Sequence, residues 1–202
     1  PGPYCAAETE SDTAEPGREG AAGRQEASAK RGEAGARKGA TGLMYDFKIE
    51  AADTATLYRD LASALEALIG DETDAVANMA NAASLIWESL PDINWVGFYR
   101  NVGGELVLGP FQGRPACIRI PFGTGVCGAA AETRQVQRIE GVHAFPGHIA
   151  CDAASNSEIV VPLIRGGELL GVLDIDSPKT ARFTEEDEAG CVRLGEILSK
   201  VL

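Results

Sequence analysis

The chain has 202 residues, of which 45% are hydrophobic and 24% charged, and it carries a formal net charge of −12 at pH 7. A surplus of acids of this size repels polyanions, which excludes nucleic acid and anionic membrane surfaces as favoured partners. No apolar run approaches the roughly 18 residues that a membrane-crossing helix needs, so a soluble protein is expected.

In chain order, residues 1–43 come first and read as a disordered low-complexity tail. Residues 1–42 contain no Val, Ile, Leu, Phe, Trp or Met. A segment of that composition cannot bury enough apolar surface to offset its ordering entropy. It has no apolar signal core, and its acids, Glu8 to Glu33, are foreign to a transit peptide, so a cytoplasmic location is expected. Met44 opens the folded part and is the expected natural start. Residues 44–202 hold 23 acidic and 12 basic side chains and four of the five cysteines. About 160 residues can bury a core without covalent staples. Thiols in an intracellular setting are therefore read as free, metal-bound or redox-active before structural disulfides are considered.

Asp53 or Thr54 caps a first helix with Leu57, Leu61, Leu65 and Leu68 on one stripe, and Gly70 ends it. A second helix is expected from Asp71 to Leu90, its stripe being Val76, Met79, Ala83, Ile86 and Leu90, with Pro91 as the stop. From Ile93 the period becomes two: Ile93, Trp95, Gly97 and Tyr99 share one face, and Val96 and Phe98 take the other. Gly103 and Gly104 turn the chain into a strand at 105–111, followed by a short strand at 117–120. A small helix at 126–132 and a strand at 135–139 come next, and 140–157 is a loop with turn residues and little periodicity, the kind that is often functional. Two strands, 158–164 and 168–176, form a hairpin, and a last helix starts at Thr184 with an Asp187 capping-box partner and buries Cys191, Leu194, Leu198 and Val201. Helices at both ends around about six antiparallel strands make an α+β fold.

Four features can carry chemistry. Cys151 lies three residues after His148 and seven before Glu158 in that irregular loop. There a thiol is either a partly exposed nucleophile, its pKa lowered by the histidine, or a small buried hydrophobe. Cys117 and Cys127 face the same two alternatives, and a zinc site built from Cys117, Cys127, Cys151 and His148 or His143 lacks any Cys-x-x-Cys or His-x-His spacing, so no metal is expected. Cys5 and Cys191 are assigned to the tail and to the core. Asp174 and Asp176 are two apart on a strand and share a face, about 7 Å apart. They are either solvated or, if buried, coupled so that one stays protonated near neutrality. Glu158 joins them if the hairpin turn is a three-residue Arg165-Gly166-Gly167 loop with a bulge, which pairs Glu158 with Asp174. Trp95 and Tyr99 are either plain core or the wall of a small pocket. Gly123-Thr124-Gly125 is either a turn or a weak anion cradle.

Taken together, Asn94-Trp95-Val96-Gly97-Phe98-Tyr99, Leu108-Gly109-Pro110-Phe111-Gln112-Gly113, cysteines at separations of 10 and 24, His148-Ile149-Ala150-Cys151, the run from Ser157 to Leu163, and Gly171-Val172-Leu173-Asp174-Ile175-Asp176 resemble the free methionine-(R)-sulfoxide reductases, a family built on the GAF domain. The resemblance covers essentially all of residues 44–202. It implies a GAF-like fold and an enzyme acting on free methionine-(R)-sulfoxide without a bound cofactor, with thioredoxin as external reductant. It implies Cys151 as catalytic cysteine, Cys117 as resolving cysteine and Cys127 as auxiliary thiol. Glu158, Asp174 and Asp176 would hold the substrate ammonium and sulfoxide oxygen, and Trp95 and Tyr99 would line the pocket. The alternative is a GAF module that senses a small molecule without catalysis. Pairing of two copies through their helices, giving a homodimer, is compatible with the sequence.

Overall fold

The computed structural model describes Ile49, residues 51–145 and residues 154–202. The expected tail at 1–43, and the stretch holding His148 and Cys151, lie outside the described residues.

Among the described residues, four α-helices and six strands follow the α+β order expected: α1 (Thr54–Ile69), α2 (Ala75–Ser89), β1 (Trp95–Val102), β2 (Glu105–Gly113), β3 (Arg119–Pro121), α3 (Gly125–Thr133), β4 (Gln137–Ile139), β5 (Ser157–Arg165), β6 (Glu168–Ser177) and α4 (Glu185–Leu198), with a 3-10 turn at Val142–Ala144. All strand pairs are antiparallel, in the order β3-β2-β1-β6-β5-β4. The two central strands, β1 and β6, are therefore covered on both faces, and alternate side chains divide between two cores. Val96, Phe98, Ile159, Val161, Leu173 and Ile175 pack against residues of α1, α2 and α4. On the other face Trp95, Tyr99, Val160 and Val172 pack with Cys117, with Val126, Cys127, Ala130 and Ala131 of α3, and with Leu106 and Ile120. The sheet is thus a wall with a largely apolar, helix-covered side and a side where carboxylates enter.

Local signals explain the helix ends. The Asp53 carboxylate accepts from the Thr56 N–H at 2.7 Å and caps α1. At α4 the Thr184 hydroxyl accepts from the Asp187 N–H while the Asp187 carboxylate accepts from the Thr184 N–H at 2.8 Å, a complete capping box. The same buried carboxylate accepts from the Tyr58 hydroxyl at 3.1 Å and pairs with Arg182 at 3.0 Å, so the start of α4 is tied to α1.

Several sequence expectations change. Helix α2 begins at Ala75, because Asp74 caps it by accepting from the Ala77 N–H and the Glu72 carboxylate accepts from the N–H groups of Thr73 and Asp74, holding that segment in a turn. Val76 is 53% exposed, and Ala82 joins the buried stripe instead. Ile93 precedes β1 and packs with the helix-side core, not beside Trp95. The β5–β6 turn is a two-residue Gly166-Gly167 turn closed by the Arg165–Glu168 pair. The bulge lies further in, where Leu163 pairs with Gly171 and Ile164 with Leu169, so Leu170 is the extra residue.

Candidate active site

That inner bulge decides the site. A two-residue turn without it would have sent Glu158 to the helix side of the sheet; the extra residue restores its parity, and Glu158 lies opposite Asp176 with Val160 opposite Asp174. On β1, Trp95 lies opposite Asp176 and Gly97 opposite Asp174. Two adjacent rows therefore cross three strands, Trp95–Asp176–Glu158 and Gly97–Asp174–Val160. Neighbours in such a row lie about 5 Å apart, and its two ends about 10 Å apart. Glu158 pairs with Asp176 and not, as expected, with Asp174; all three acids still share one face.

The aromatic wall stands at one end of these rows. Trp95 stacks on Tyr99 with ring centroids 6.0 Å apart, and on Phe111 at 5.3 Å. Gly97 makes this possible: a Cβ there would lie 2.3 Å from Phe111 Cβ and 2.6 Å from Trp95 Cη2. The Trp95 indole N–H donates to the Arg114 carbonyl at 3.0 Å, which fixes the ring plane. Among the described residues, Trp95, Tyr99, Asp174, Asp176 and the segment 114–116 line one small cleft. Phe111 and Arg114 were not singled out in the sequence as site residues. Phe111 sits in a quoted motif, but only the β1–β2 register shows that it faces Gly97.

The other end is formed by α3. Cys127 is buried, and its thiol makes a long contact to Glu158 Oε1 at 3.9 Å. One ligand-bearing atom from each of Cys127, Glu158 and Asp174 lies within 4.8 Å of the other two. Both carboxylates are 6% exposed, and Asp174 Oδ1 makes no hydrogen bond. Burial pushes the Asp174 carboxyl up to about 7, against the opposing effect of hydrogen bonds from Cys127 and Glu158. Burial, and then the negative potential of Asp174 and Glu158, push the Cys127 thiol well above its ordinary value. At neutral pH Cys127 is accordingly a protonated donor to carboxylates, not a thiolate.

Cys117 is buried in the same core as Trp95 and Cys127, just before β3. Cys127 and Cys191 stand as free thiols. Cys191 lies on the opposite side of the sheet, against the Tyr58 hydroxyl at 3.5 Å. Where the described chain resumes after Cys151, it is anchored at the acid end of β6: the Asn94 amide donates to Ser155 Oγ at 3.0 Å, and the Asn156 N–H donates to the Ser177 carbonyl at 2.7 Å. Gly123 and Thr124 form a turn closed by bonds to Gly128 and Pro121. No helix among the described residues is long and apolar enough to cross a membrane.

Comparison with known proteins places this geometry. Residues 53–200 match the GAF domain family. Over 145 residues the chain is 57% identical to the free methionine-R-sulfoxide reductase of Escherichia coli strain K12, an alignment covering 72% of this chain and 88% of that protein. It is 45% identical over 143 residues to the enzyme of the same name from Saccharomyces cerevisiae, covering 67% of this chain and 79% of that one. The X-ray structure of free methionine-R-sulfoxide reductase from Neisseria meningitidis in complex with its substrate superposes with a TM-score of 0.75 at 46% identity, covering 78% of this chain and 95% of that chain. With a carboxyl and thiol cluster beside an aromatic wall on a six-stranded antiparallel sheet, the chain belongs to the GAF domain family and, within it, to the free methionine-(R)-sulfoxide reductase family.

Proposed function

We propose that the protein reduces free methionine-(R)-sulfoxide to methionine in the cytoplasm, with Cys151 as nucleophile. The observation that carries this is the cluster of buried Glu158 and Asp174 and half-buried Asp176, in two adjacent cross-strand rows beside the stacked Trp95 and Tyr99 rings. An ammonium group is drawn to the acids, a methyl thioether group packs on the rings, and a carboxyl titrating near neutrality can hand over a proton. A peptide-bound methionine has no ammonium, so the acids select the free amino acid.

The Cys151 thiolate attacks the sulfoxide sulfur while the oxygen takes a proton from the acid cluster. The hydroxyl then passes from the methionine sulfur to the Cys151 sulfur as the transient sulfur–sulfur bond breaks, methionine leaves, and Cys151 is left as a sulfenic acid. The Cys117 thiol condenses with it, releasing water and forming a Cys151–Cys117 disulfide. A thioredoxin dithiol reduces that disulfide by exchange, becoming oxidised itself. The net reaction is sulfoxide plus dithiol to thioether, disulfide and water. Cys127, a protonated donor to Glu158 at the edge of the acid cluster, is an auxiliary thiol and not an attacking group.

The test is thioredoxin-coupled turnover of free (R)-sulfoxide, free (S)-sulfoxide and a peptide-bound sulfoxide by the wild type and Cys151→Ser. Turnover of the free (R) epimer alone, lost in the variant, is expected. Activity surviving Cys151→Ser removes Cys151 as nucleophile, and no turnover of any substrate leaves a small-molecule-binding GAF module.

A further inference from the structure

We propose that Cys127, Glu158 and Asp174 form an inhibitory binding site for a thiophilic divalent cation, with zinc as its best occupant. The three residues come from α3, β5 and β6, far apart in sequence, and each is buried. Their donor atoms already lie within 4.8 Å of one another. In a tetrahedral zinc centre, with Zn–S of about 2.3 Å and Zn–O of about 2.0 Å, sulfur and oxygen ligands sit about 3.5 Å apart. The Cys127 Sγ to Glu158 Oε1 separation is 3.9 Å, so a small rotation of either side chain closes the site. Asp174 supplies the second, independent sign: its carboxylate is 94% buried, yet Oδ1 has no hydrogen-bond partner, a state that is costly unless something binds there.

Ligand chemistry sets the class of ion. One sulfur and two carboxylates suit zinc and other borderline or soft metals, whereas magnesium and calcium call for a shell of oxygens. Three ligands leave the fourth position to water. On binding, the Cys127 thiol releases its proton to solvent as the Zn–S bond forms, and the ion takes the place of protons in the acid cluster. Asp174 also borders the cleft beside Trp95 and Tyr99, so zinc on this carboxylate and an amino-acid ligand held by it exclude each other. Zinc thus acts as an inhibitor and not as a cofactor. Occupancy of the site stands on the three residues alone, while inhibition of sulfoxide reduction rests on the function proposed above.

The experiment uses the full chain carrying Cys117→Ser and Cys151→Ser, which removes the other thiols of the redox reaction and with them their adventitious zinc binding. Zinc affinity is read by competition with a chromophoric chelator, and cobalt(II) is added separately as a spectroscopic probe. One zinc per chain is expected, with a thiolate-to-cobalt charge-transfer band in the near ultraviolet. Adding Cys127→Ser should abolish the band and weaken zinc binding about a hundredfold, and Asp174→Asn should weaken it at least tenfold. Zinc affinity unchanged by Cys127→Ser overturns the site, and so does the absence of the band in the parent protein, which needs no further variant to fold. Wild-type turnover is measured in parallel: inhibition relieved by EDTA and by raised sulfoxide is expected. Zinc binding through Cys127 in a protein with no turnover keeps the metal site and removes the reductase, whereas turnover indifferent to zinc removes the inhibition.

Discussion

Replacing Asp174 by Asn tests the account of the acid cluster through stability as well as through rate. The folded carboxyl is pushed up to about 7 by burial, from 3.8 in its ordinary state. Because the folded value is the higher one, the folded protein keeps a proton that the unfolded chain has released. The stabilisation is complete below pH 3.8 and is lost as pH rises to 7. Each pH unit in that window costs 1.36 kcal/mol, so the two units from pH 5 to pH 7 remove about 3 kcal/mol, and the curve is flat above. The amide of Asp174→Asn has nearly the same volume, never ionises and can donate to Glu158. Urea unfolding of wild type and variant at pH 5 and pH 8 therefore yields a double difference of about 3 kcal/mol in favour of the variant at the higher pH. Turnover of the sulfoxide should fall by about a hundredfold or more, the usual contribution of a general acid. Parallel stability profiles between pH 5 and pH 8 would refute the claim that Asp174 holds a proton in the folded state.

Other perturbations probe the parts that position this cluster. Gly97→Ala drives a methyl group between Trp95 and Phe111, which should cost about 1–3 kcal/mol in thermal or urea unfolding and raise KM; a melting temperature equal to the wild type's would show that the wall is not packed as described. Trp95→Phe loses the indole bond to the Arg114 carbonyl and should raise KM about tenfold with a smaller change in kcat, read from initial rates over a range of sulfoxide concentrations. Asp187→Ala removes the capping box, the Tyr58 bond and the partner of the largely buried Arg182. About 3–5 kcal/mol of stability should go, with KM of the remaining folded protein unchanged, because this network lies across the sheet from the site.

What was legible in the sequence was what is decided within a turn of chain. Asp53 and Gly70 bound α1, and Thr184 with Asp187 starts α4, because a cap needs only a donor and an acceptor three residues apart. Alternation along β1 assigned Trp95 and Tyr99 to one face and Val96 and Phe98 to the other, because a strand has no other way to point its side chains. Val76 and Ile93 were misplaced because periodicity names a stripe but not where its neighbours stop. Tertiary structure decided the rest. The bulge at Leu170, inside β6 and not in the turn, set Glu158 opposite Asp176; the Gly166-Gly167 turn carries no local sign of it, since cross-strand register follows from the packing of both sheet faces. The contact between Cys127 and Glu158 spans 31 residues and exists only because α3 covers that face of the sheet. The same cover makes Asp174 a proton holder: two acids alternating on a strand describe a solvated edge equally well, and only removal of water by the surrounding layer lifts a carboxyl to neutrality.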